Sequence, residues 1–392
     1  MRLLECGHAA EAGASRMCEH LVAEEPPGYY RLLTGSMVRF DLACEECVDA
    51  PVLMTVCEGC VERAADSGDA LGWKGTPEVR HEDGEVRGSL TSRHCRVHLL
   101  NDRCLAPLPH GWLALTADGL VDLDKGLVCE APIEIEVERS GRRAPLLALH
   151  TSADGCYAAV VVDHGQRAVI VDLRSGAVVL ELDRGNYHVE WTPFPIAFLP
   201  DERVVAATAW NRLDVFDLLS GAVLTEREPE GVLFHGRLTL SPCGRRVLDD
   251  SWAWSPAGLP SVLDLEAWLV DGGEPPRHSL SQRWYAWDQP VAWLSADLVA
   301  IQRIGEDDEA MLDGVELHEV PSGRKREPFA GPVGPMWGHK GLLYVSGADG
   351  FEVWDPDRGA RIGLVQGFRP TAHRDGTFVS LSDGVLNSFS VD

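Results

Sequence analysis

The sequence lacks any apolar run that approaches the roughly 18 to 20 residues of a membrane-spanning helix. Its N-terminus also lacks the apolar core of a secretory signal. We therefore expect a cytoplasmic protein without a membrane segment. Basic side chains are scarce as well: 35 lysine and arginine residues stand against 61 acidic ones, for a formal net charge of −26. Such a chain lacks the cationic face that phosphates require, which makes nucleic acid an unexpected partner.

Short catalytic signatures are absent too. The sequence contains no HExxH motif, no Gly-x-Ser-x-Gly elbow, no phosphate-binding loop and no dinucleotide-binding glycine set. We therefore expect a non-enzymatic protein. Because some enzymes assemble their sites from distant loops, an enzymatic role stays open. Only four of the basic residues are lysine, a bias that favours a bacterial source.

Cysteine, by contrast, is abundant near the N-terminus. Six of the eleven cysteines lie in the first 60 residues, and two histidines accompany them. These residues form four close pairs, which are Cys6 with His8, Cys18 with His20, Cys44 with Cys47, and Cys57 with Cys60. Two donors two or three positions apart let one tight turn direct both at a single ion, as tetrahedral Zn²⁺ requires. Disulfides are a poor alternative in a reducing cytosol.

The two CxxC pairs predict a zinc site with four cysteine ligands. A short strand is expected within residues 51–56, and a helix is expected over residues 61–66 and ends at Ser67-Gly68. A knuckle, a hairpin and a helix that starts at the last ligand pair resemble a zinc ribbon or treble-clef finger.

The two CxH pairs allow more than one arrangement. Together they could close a second site, or all four pairs could interleave as in the cross-braced RING fingers, with Cys6 and His8 joining Cys44 and Cys47. The run Cys18-Glu-His20-Leu21 also resembles the opening of the ubiquitin-binding finger of deubiquitinases. In each arrangement the ligand set is closed, so we expect one or two structural Zn²⁺ ions.

From about residue 100 onward, short apolar runs alternate with Gly, Asp and Pro turns, which predicts many short antiparallel strands. One strand recurs, and each copy ends in an acidic residue, in most cases followed by a turn that contains glycine. The acidic residues of the repeat are Asp122, Asp172, Asp217, Asp264, Glu319, Asp355 and Asp392. Their spacings run from 36 to 55 residues and average 45, which is typical of one four-stranded propeller blade.

A second turn recurs with the same spacing, for example Ser152-Ala-Asp-Gly155 and Ser241-Pro-Cys-Gly244. The two markers together resemble those of WD-repeat and quinoprotein-like β-propellers. The resemblance implies a mainly β fold, with a seven-bladed β-propeller preceded by a small zinc-binding α+β finger domain. We expect the finger over residues 1–66, a linker over 67–87 and the propeller over 88–392.

The final repeat has no outer strand of its own, and an unpaired strand edge is unfavourable. Residues 88–100 lie just before the first blade and are the obvious donor of that strand. We therefore expect this segment to pair beside residues 384–391 as a latch that closes the ring.

Loops that join one blade to the next gather on one face of a propeller, and three of them are unusually aromatic. Tyr and Trp dominate interaction hot spots, which predicts a partner-binding surface. Its expected members are Tyr187, His188, His235, Trp284, Tyr285 and Trp287. The alternative is packing between blades, which we expect for Trp191, Trp252, Trp254 and Trp293. For the loop 284–288 both interpretations stay open.

These observations predict a non-enzymatic scaffold or adaptor that binds protein partners, with its acidic surface favouring basic ones. One alternative is a propeller hydrolase or lyase, which would require polar groups that converge in the central channel. Another is a reader of ubiquitin-like proteins or nucleic acids through the zinc finger. Residues 1–84 carry sixteen acidic and seven basic side chains, which disfavours nucleic acid.

Overall fold

A computed structural model describes most of the chain. The described residues are 16–23, 28–32, 41–49, 51–56, 58–75, 77–130, 145–225, 231–254, 256–271, 275–308 and 311–391. Within these ranges the strands form nine sheets, and the α-helices number three. No helix among the described residues is both long enough and apolar enough to cross a membrane.

The N-terminal part is a small sheet with two helices. Its elements are β1 (Arg16–Cys18), α1 (Glu19–Ala23), β2 (Gly28–Leu32), β3 (Asp41–Ala43), β4 (Leu53–Thr55), α2 (Glu58–Ser67) and β5 (Asp69–Lys74). The strand order is β4-β1-β3-β2-β5. The strand expected within residues 51–56 and the helix expected over 61–66 are both present. Met17, Leu42 and Cys60 are fully buried in one small core.

The following strands form the first three sheets of the remaining chain. They are β6 (Arg80–Gly84), β7 (Gly88–His94), β8 (Leu105–Leu108), β9 (Gly111–Thr116), β10 (Gly119–Asp122), β11 (Gly126–Glu130), β12 (Leu146–Thr151), β13 (Tyr157–Asp163), β14 (Arg167–Asp172), β15 (Ala177–Asp183), β16 (Ile196–Leu199), β17 (Arg203–Ala209) and β18 (Arg212–Asp217). A 3₁₀ turn, Val189–Trp191, lies before β16. The sheets are β8–β11, β12–β15 and β16–β18; β6 and β7 join later ones.

The rest of the chain forms five more sheets. Its elements are β19 (Leu233–Phe234), β20 (Leu238–Leu240), β21 (Arg246–Asp249), β22 (Trp252–Ala253), β23 (Ala257–Gly258), β24 (Ser261–Asp264), α3 (Leu265–Asp271), β25 (Arg277–Ser279), β26 (Arg283–Trp284), β27 (Val291–Ser295), β28 (Leu298–Ile304), β29 (Leu312–Glu319), β30 (Phe329–Ala330), β31 (Met336–His339), β32 (Leu342–Ser346), β33 (Gly350–Asp355), β34 (Ala360–Gln366), β35 (Ala372–Arg374), β36 (Thr377–Ser382) and β37 (Val385–Val391). The sheet orders are β20-β21-β24-β25, β27-β28-β29-β30, β31-β32-β33-β34-β6, β35-β36-β37-β7 and the small sheet β19-β22-β23-β26.

The acidic repeat has one structural position. Each of its six described members is the last residue of the third strand of its sheet: Asp122, Asp172, Asp217, Asp264, Glu319 and Asp355. The seventh, Asp392, lies outside the described residues. The repeat therefore marks the turn from the third strand to the fourth.

The chemistry of this turn explains the repeat. Asp172 Oδ1 accepts a hydrogen bond from the backbone N–H two residues later, at 2.8 Å, and Asp355 does the same at 3.0 Å. Four residues after Asp172, the Gly176 N–H donates to the Asp172 carbonyl at 2.8 Å. Gly176 has a φ of 71°, a left-handed backbone that glycine adopts without a Cβ penalty.

Neighbouring sheets are joined by apolar clusters between their faces. Val161 and Ile170 of one sheet pack with Val204 and Phe216 of the next. Comparable clusters lie between each later pair of consecutive meanders. The first meander packs in the same way on the second, and Ala114 of the first also packs with the last. The series of sheets therefore closes on itself.

The segment predicted as a linker, residues 67–87, contains two strands. β5 is the edge of the N-terminal sheet, where it runs parallel to β2. β6 is added in parallel to β34, and Arg361 Nη2 lies 2.7 Å from Asp83 Oδ2 beside it. The Arg31 guanidinium lies 5.6 Å from the Trp73 ring centroid, so Trp73 packs on the N-terminal sheet.

The last sheet receives its outer strand from β7. β7 pairs antiparallel with β37 over seven residues, from Gly88 opposite Val391 to His94 opposite Val385. These are the two segments for which the sequence predicts pairing. The chain segment before the first meander thus covers the edge of the last one.

Deletion of residues 85–100 should lower the free energy of unfolding by about 3 kcal/mol or more, since it removes a whole ladder whose hydrogen bonds contribute about 0.5–1.5 kcal/mol each. Chemical denaturation followed by circular dichroism measures this. Ser92→Ala is the control, because it removes only the exposed contact from Ser92 Oγ to Asn387 Oδ1. Unchanged stability of the deletion variant would contradict a closing role for β7.

Candidate metal centre and binding surfaces

Three of the predicted ligand residues come together in the N-terminal sheet. The Sγ atoms of Cys18, Cys44 and Cys47 all lie within 4.8 Å of one another. Cys18 ends β1 and Cys44 directly follows β3, and these strands are parallel neighbours. Because parallel strands end at the same edge of a sheet, the two thiols meet there.

Cys47 reaches the same point through a tight turn. Its N–H donates to the Cys44 carbonyl at 3.1 Å, which returns the chain toward the sheet. The Cys44 N–H donates to Cys18 Sγ at 3.3 Å. These two hydrogen bonds hold the three sulfur atoms at one edge of the sheet.

His20 supplies a fourth donor. Its Nδ1 lies 3.5 Å from Cys44 Sγ and 3.4 Å from Cys47 Sγ. In a tetrahedral site with metal–sulfur bonds of about 2.3 Å and metal–nitrogen bonds of about 2.0 Å, sulfur and nitrogen ligands lie about 3.5 Å apart. The two distances from His20 Nδ1 match this value, while the donors that all lie within 4.8 Å of one another among the described residues are those of Cys18, Cys44 and Cys47.

The electrostatics of the three thiols also suit a cation. Burial, together with the neighbouring Cys44 and Cys18, raises the pKa of the Cys47 thiol to about 11. Three sulfurs at this distance cannot all ionise unless a positive charge lies among them. A bound divalent cation would reverse that preference, because it deprotonates the thiols that coordinate it.

The other predicted ligands divide into two groups. Cys60 is fully buried in the same core but is not a member of the three-thiol group. Cys6, His8 and Cys57 lie outside the described residues. The four-cysteine site of Cys44, Cys47, Cys57 and Cys60 stays a prediction, whereas the described geometry places Cys44 and Cys47 beside Cys18 and His20.

The predicted partner-binding residues lie around a large aromatic cluster. Phe234 stacks on Trp252 with ring centroids 4.3 Å apart, and Trp252 stacks on Trp287 at 5.0 Å. His188 stacks on Trp254 at 4.7 Å. Phe234 and Trp252 lie on the small sheet β19-β22-β23-β26. Each of these rings lies either on a connection that leads to an innermost strand or on a turn between the second and third strands of a sheet.

His235 is buried rather than exposed. Only 4% of it is accessible, and its Nδ1 lies 2.8 Å from Asp249 Oδ2. Although burial opposes ionisation of Asp249, the charges of His235 and Arg277 hold the pKa of that carboxyl below its usual range. Since such a buried, paired ring does not reach a partner, we assign His235 to the support of the cluster.

Exposure separates the remaining aromatic residues. Tyr187, Trp284 and Tyr285 are exposed, at 53%, 39% and 63%. Trp287 is half-buried, and its Nε1 donates to the Trp191 carbonyl at 3.1 Å, which is a packing role. Trp254, for which the sequence predicts packing, is 62% exposed. Its position at the tip of a hairpin was not evident from the sequence.

A central cavity of about 1550 Å³ lies among the innermost strands. Ion pairs stand at the end where these strands begin, which we call the upper end. Arg103 Nη1 lies 2.5 Å from Asp163 Oδ2, and Arg237 Nη2 lies 3.4 Å from Asp288 Oδ1. No sequence motif indicated these residues, because they come from separate parts of the chain and only Asp163 lies on a strand.

Asp250 is a buried carboxyl beside this group. Burial, together with the charge of Asp288, raises its pKa to about 7. Its Oδ2 accepts a hydrogen bond from the Gln289 N–H at 3.2 Å. Asp250 is therefore protonated over part of the physiological pH range.

Comparison with known proteins concerns the fold alone. No protein-family model matches the chain, and no curated protein matches it. BamB from Moraxella catarrhalis is 14% identical, covers 78% of this chain and 100% of its own, and has a TM-score of 0.45. A Kuenenia stuttgartiensis hydrazine synthase chain is 14% identical over 76% of this chain and 99% of its own, with a TM-score of 0.49. A chain of the mitotic checkpoint complex is 12% identical over 81% of this chain and 94% of its own, with a TM-score of 0.50. This last likeness supports a mainly β fold of the propeller type.

Replacement of Cys18 or Cys44 by Ser should remove one equivalent of bound divalent metal per chain, because a thiolate ligand is lost. His20→Cys should retain the metal, since it completes a four-sulfur set. Inductively coupled plasma mass spectrometry of the purified protein measures both. Cys243→Ser, at an exposed cysteine in a turn, is the matched control. Equal metal content in the Cys18, Cys44 and Cys243 variants would contradict the site.

Asp250 should make the protein less stable as the pH rises from about 4 to about 7. Its pKa is about 7 in the folded chain against 3.8 for an ordinary aspartate, so the unfolded chain loses the proton first. The slope is at most about 1.4 kcal/mol per pH unit. Urea denaturation across this range should show the decline in the native protein but not in Asp250→Asn. The exposed Asp118→Asn should behave like the native protein.

Proposed function

We propose that the chain is a non-enzymatic protein-interaction scaffold, in which a zinc-binding finger domain over residues 1–66 precedes a seven-bladed β-propeller over residues 88–392. Seven meanders in sequence, each packed on the next, support the blade count. The pairing of β7 with β37 supports the role of residues 88–100 as the latch. The chain of the checkpoint complex supports the type of fold.

Zinc is the metal that best suits the N-terminal donors. Soft thiolate and imidazole ligands in a tetrahedral set select Zn²⁺ over the hard cations. Cys18, His20, Cys44 and Cys47 would hold it, and the ion would stabilise a domain whose own core is small. A closed set of four protein ligands leaves no position for substrate, so the ion is structural.

The observation that carries the scaffold proposal is an exposed aromatic surface. We define the aromatic surface as Tyr187, His188, Trp254, Trp284 and Tyr285. The sheet β22-β23-β26 links its two halves, since Ala257 pairs with both Ala253 and Trp284. Large exposed rings held on a rigid, buried layer of other rings have the character of interaction hot spots.

The charge around this surface favours a basic partner. Trp284 forms an isolated parallel β-bridge with Asp307. Asp307 belongs to the acidic run Glu306-Asp-Asp-Glu309. Aromatic faces beside carboxylates suit lysine and arginine side chains, which gain both cation–π and ionic contacts. The net charge of −26 attracts such a partner from a distance.

One observation favours the hydrolase or lyase alternative. The cavity is lined by two histidines and several carboxylates, among them His150, His373, Asp163 and Asp288. Asp163 and Asp288 are each paired with an arginine, however. Each arginine occupies the carboxylate that a general base would need free to reach a substrate proton. The arrangement therefore favours ligand binding over catalysis.

Replacement of Trp254, Trp284 and Tyr285 together by Ala should abolish capture of a partner from lysate of the source cells and leave the melting temperature unchanged. The rings are exposed, so their loss removes binding area without emptying the core. Affinity capture with mass spectrometry, together with calorimetry, measures both. Leu127→Ala, at an exposed leucine on β11, is the matched control. Trp252→Ala should instead cost about 3–5 kcal/mol of stability. A partner set unchanged by the triple variant would refute the aromatic surface.

A further inference from the structure

Two arginines reach the central cavity from different sides. Arg103 stands shortly before β8, the innermost strand of the first meander, and Arg237 stands directly before β20, the innermost strand of the fourth. Both line the cavity of about 1550 Å³ at its upper end. Residues far apart in the chain and on separate sheets thus share one space.

In both ion pairs at this end, the arginine is more accessible than its aspartate partner. The Arg103 and Arg237 side chains are 28% and 40% accessible, whereas their partners Asp163 and Asp288 are only 4% and 11% accessible. The carboxylates therefore lie behind the guanidinium groups. Asp163 Oδ1 also accepts the Phe194 N–H at 2.8 Å, which fixes it in the wall. The cationic groups are the ones presented to the cavity.

His150 lies on β12 and lines the same cavity. Burial, helped by the charges of Arg237 and Arg103 and opposed by that of Asp163, lowers its pKa to about 4. The imidazole is therefore neutral at pH 7 and lies within electrostatic reach of both guanidinium groups. A neutral ring offers one donor and one acceptor nitrogen beside two cations.

The accessible charge at the upper end contrasts with the rest of the chain. Arg369 and Arg374 also line the cavity, as do the exposed carboxylates Asp102 and Asp375. The protein as a whole carries a net charge of −26. A concentration of accessible arginine in such a chain is a local exception. Guanidinium groups match carboxylate and phosphate oxygens in pairs of hydrogen bonds.

We propose that the central cavity binds a small anionic molecule, with a carboxylate or phosphate group held between Arg103 and Arg237 and contacted by His150. Each guanidinium has five N–H donors, so its ion pair leaves donors for a ligand. Asp163 and Asp288 position the two arginines. The test of this site does not depend on a protein partner.

Isothermal titration calorimetry with inorganic phosphate tests the site, at constant ionic strength against chloride. The native protein should bind phosphate saturably. Arg237→Gln should weaken binding at least about tenfold, equivalent to about 1.4 kcal/mol. Arg167→Gln is the matched control, because Arg167 is 59% accessible and faces Glu181 on an outer strand. It should bind as the native protein does.

His150→Gln is the second variant, since it breaks neither ion pair and keeps the test decisive if Arg237→Gln fails to fold. It should also weaken phosphate binding. A bound anion favours the imidazolium, so phosphate should raise the His150 pKa in histidine-labelled nuclear magnetic resonance spectra. Absence of saturable binding would overturn the proposal. Binding that is equal in the His150, Arg167 and native proteins would reveal an adventitious ion only, which would overturn it as well.

Discussion

The structure depends on one constraint, which is that a single four-stranded meander cannot cover both of its own apolar faces. β13 shows this most clearly, because all seven of its residues are buried. Each face must therefore pack on a neighbouring sheet, and the series ends only when the last sheet meets the first. The contact of Ala114 with Val379 is that closure. The strand β7 then removes the remaining open edge.

Closure determines where function resides. Because the faces of the sheets are buried against one another, only the loops between strands and the inner rim of the ring remain accessible for binding. The connections on one side carry the exposed rings of Tyr187, Trp254 and Tyr285, and the inner rim carries Arg103 and Arg237. A rigid ring thus presents two chemically different surfaces, one aromatic with acidic neighbours and one cationic within a cavity. The N-terminal sheet has a much smaller core, which is why a metal among its thiols is a reasonable source of stability.

The repeat was predictable because its turn chemistry is local. The aspartate accepts a hydrogen bond from the backbone N–H two residues later, and the glycine four residues later has a positive φ. Both residues leave a direct trace in the sequence, as Asp172 and Gly176 do. The pairing of metal ligands was less predictable. Four similar pairs allow several combinations, and only the parallel alignment of β1 with β3 brings Cys18 to Cys44. The strand β6, within the segment predicted as a linker, left no comparable trace, since its exposed residues show no apolar alternation.

The sequence by itself determined the β character of the chain, the spacing of its repeats, the partner strand for the last sheet and the residue types that suit a metal. These follow from periodicity, turn residues and ligand spacing, which act over a few neighbouring positions. Only the tertiary structure decided that His235 is buried against Asp249 while Trp254 is exposed, and that Arg103, His150 and Arg237 share one cavity. Burial and convergence depend on which distant segments meet, and the packing of whole sheets settles that.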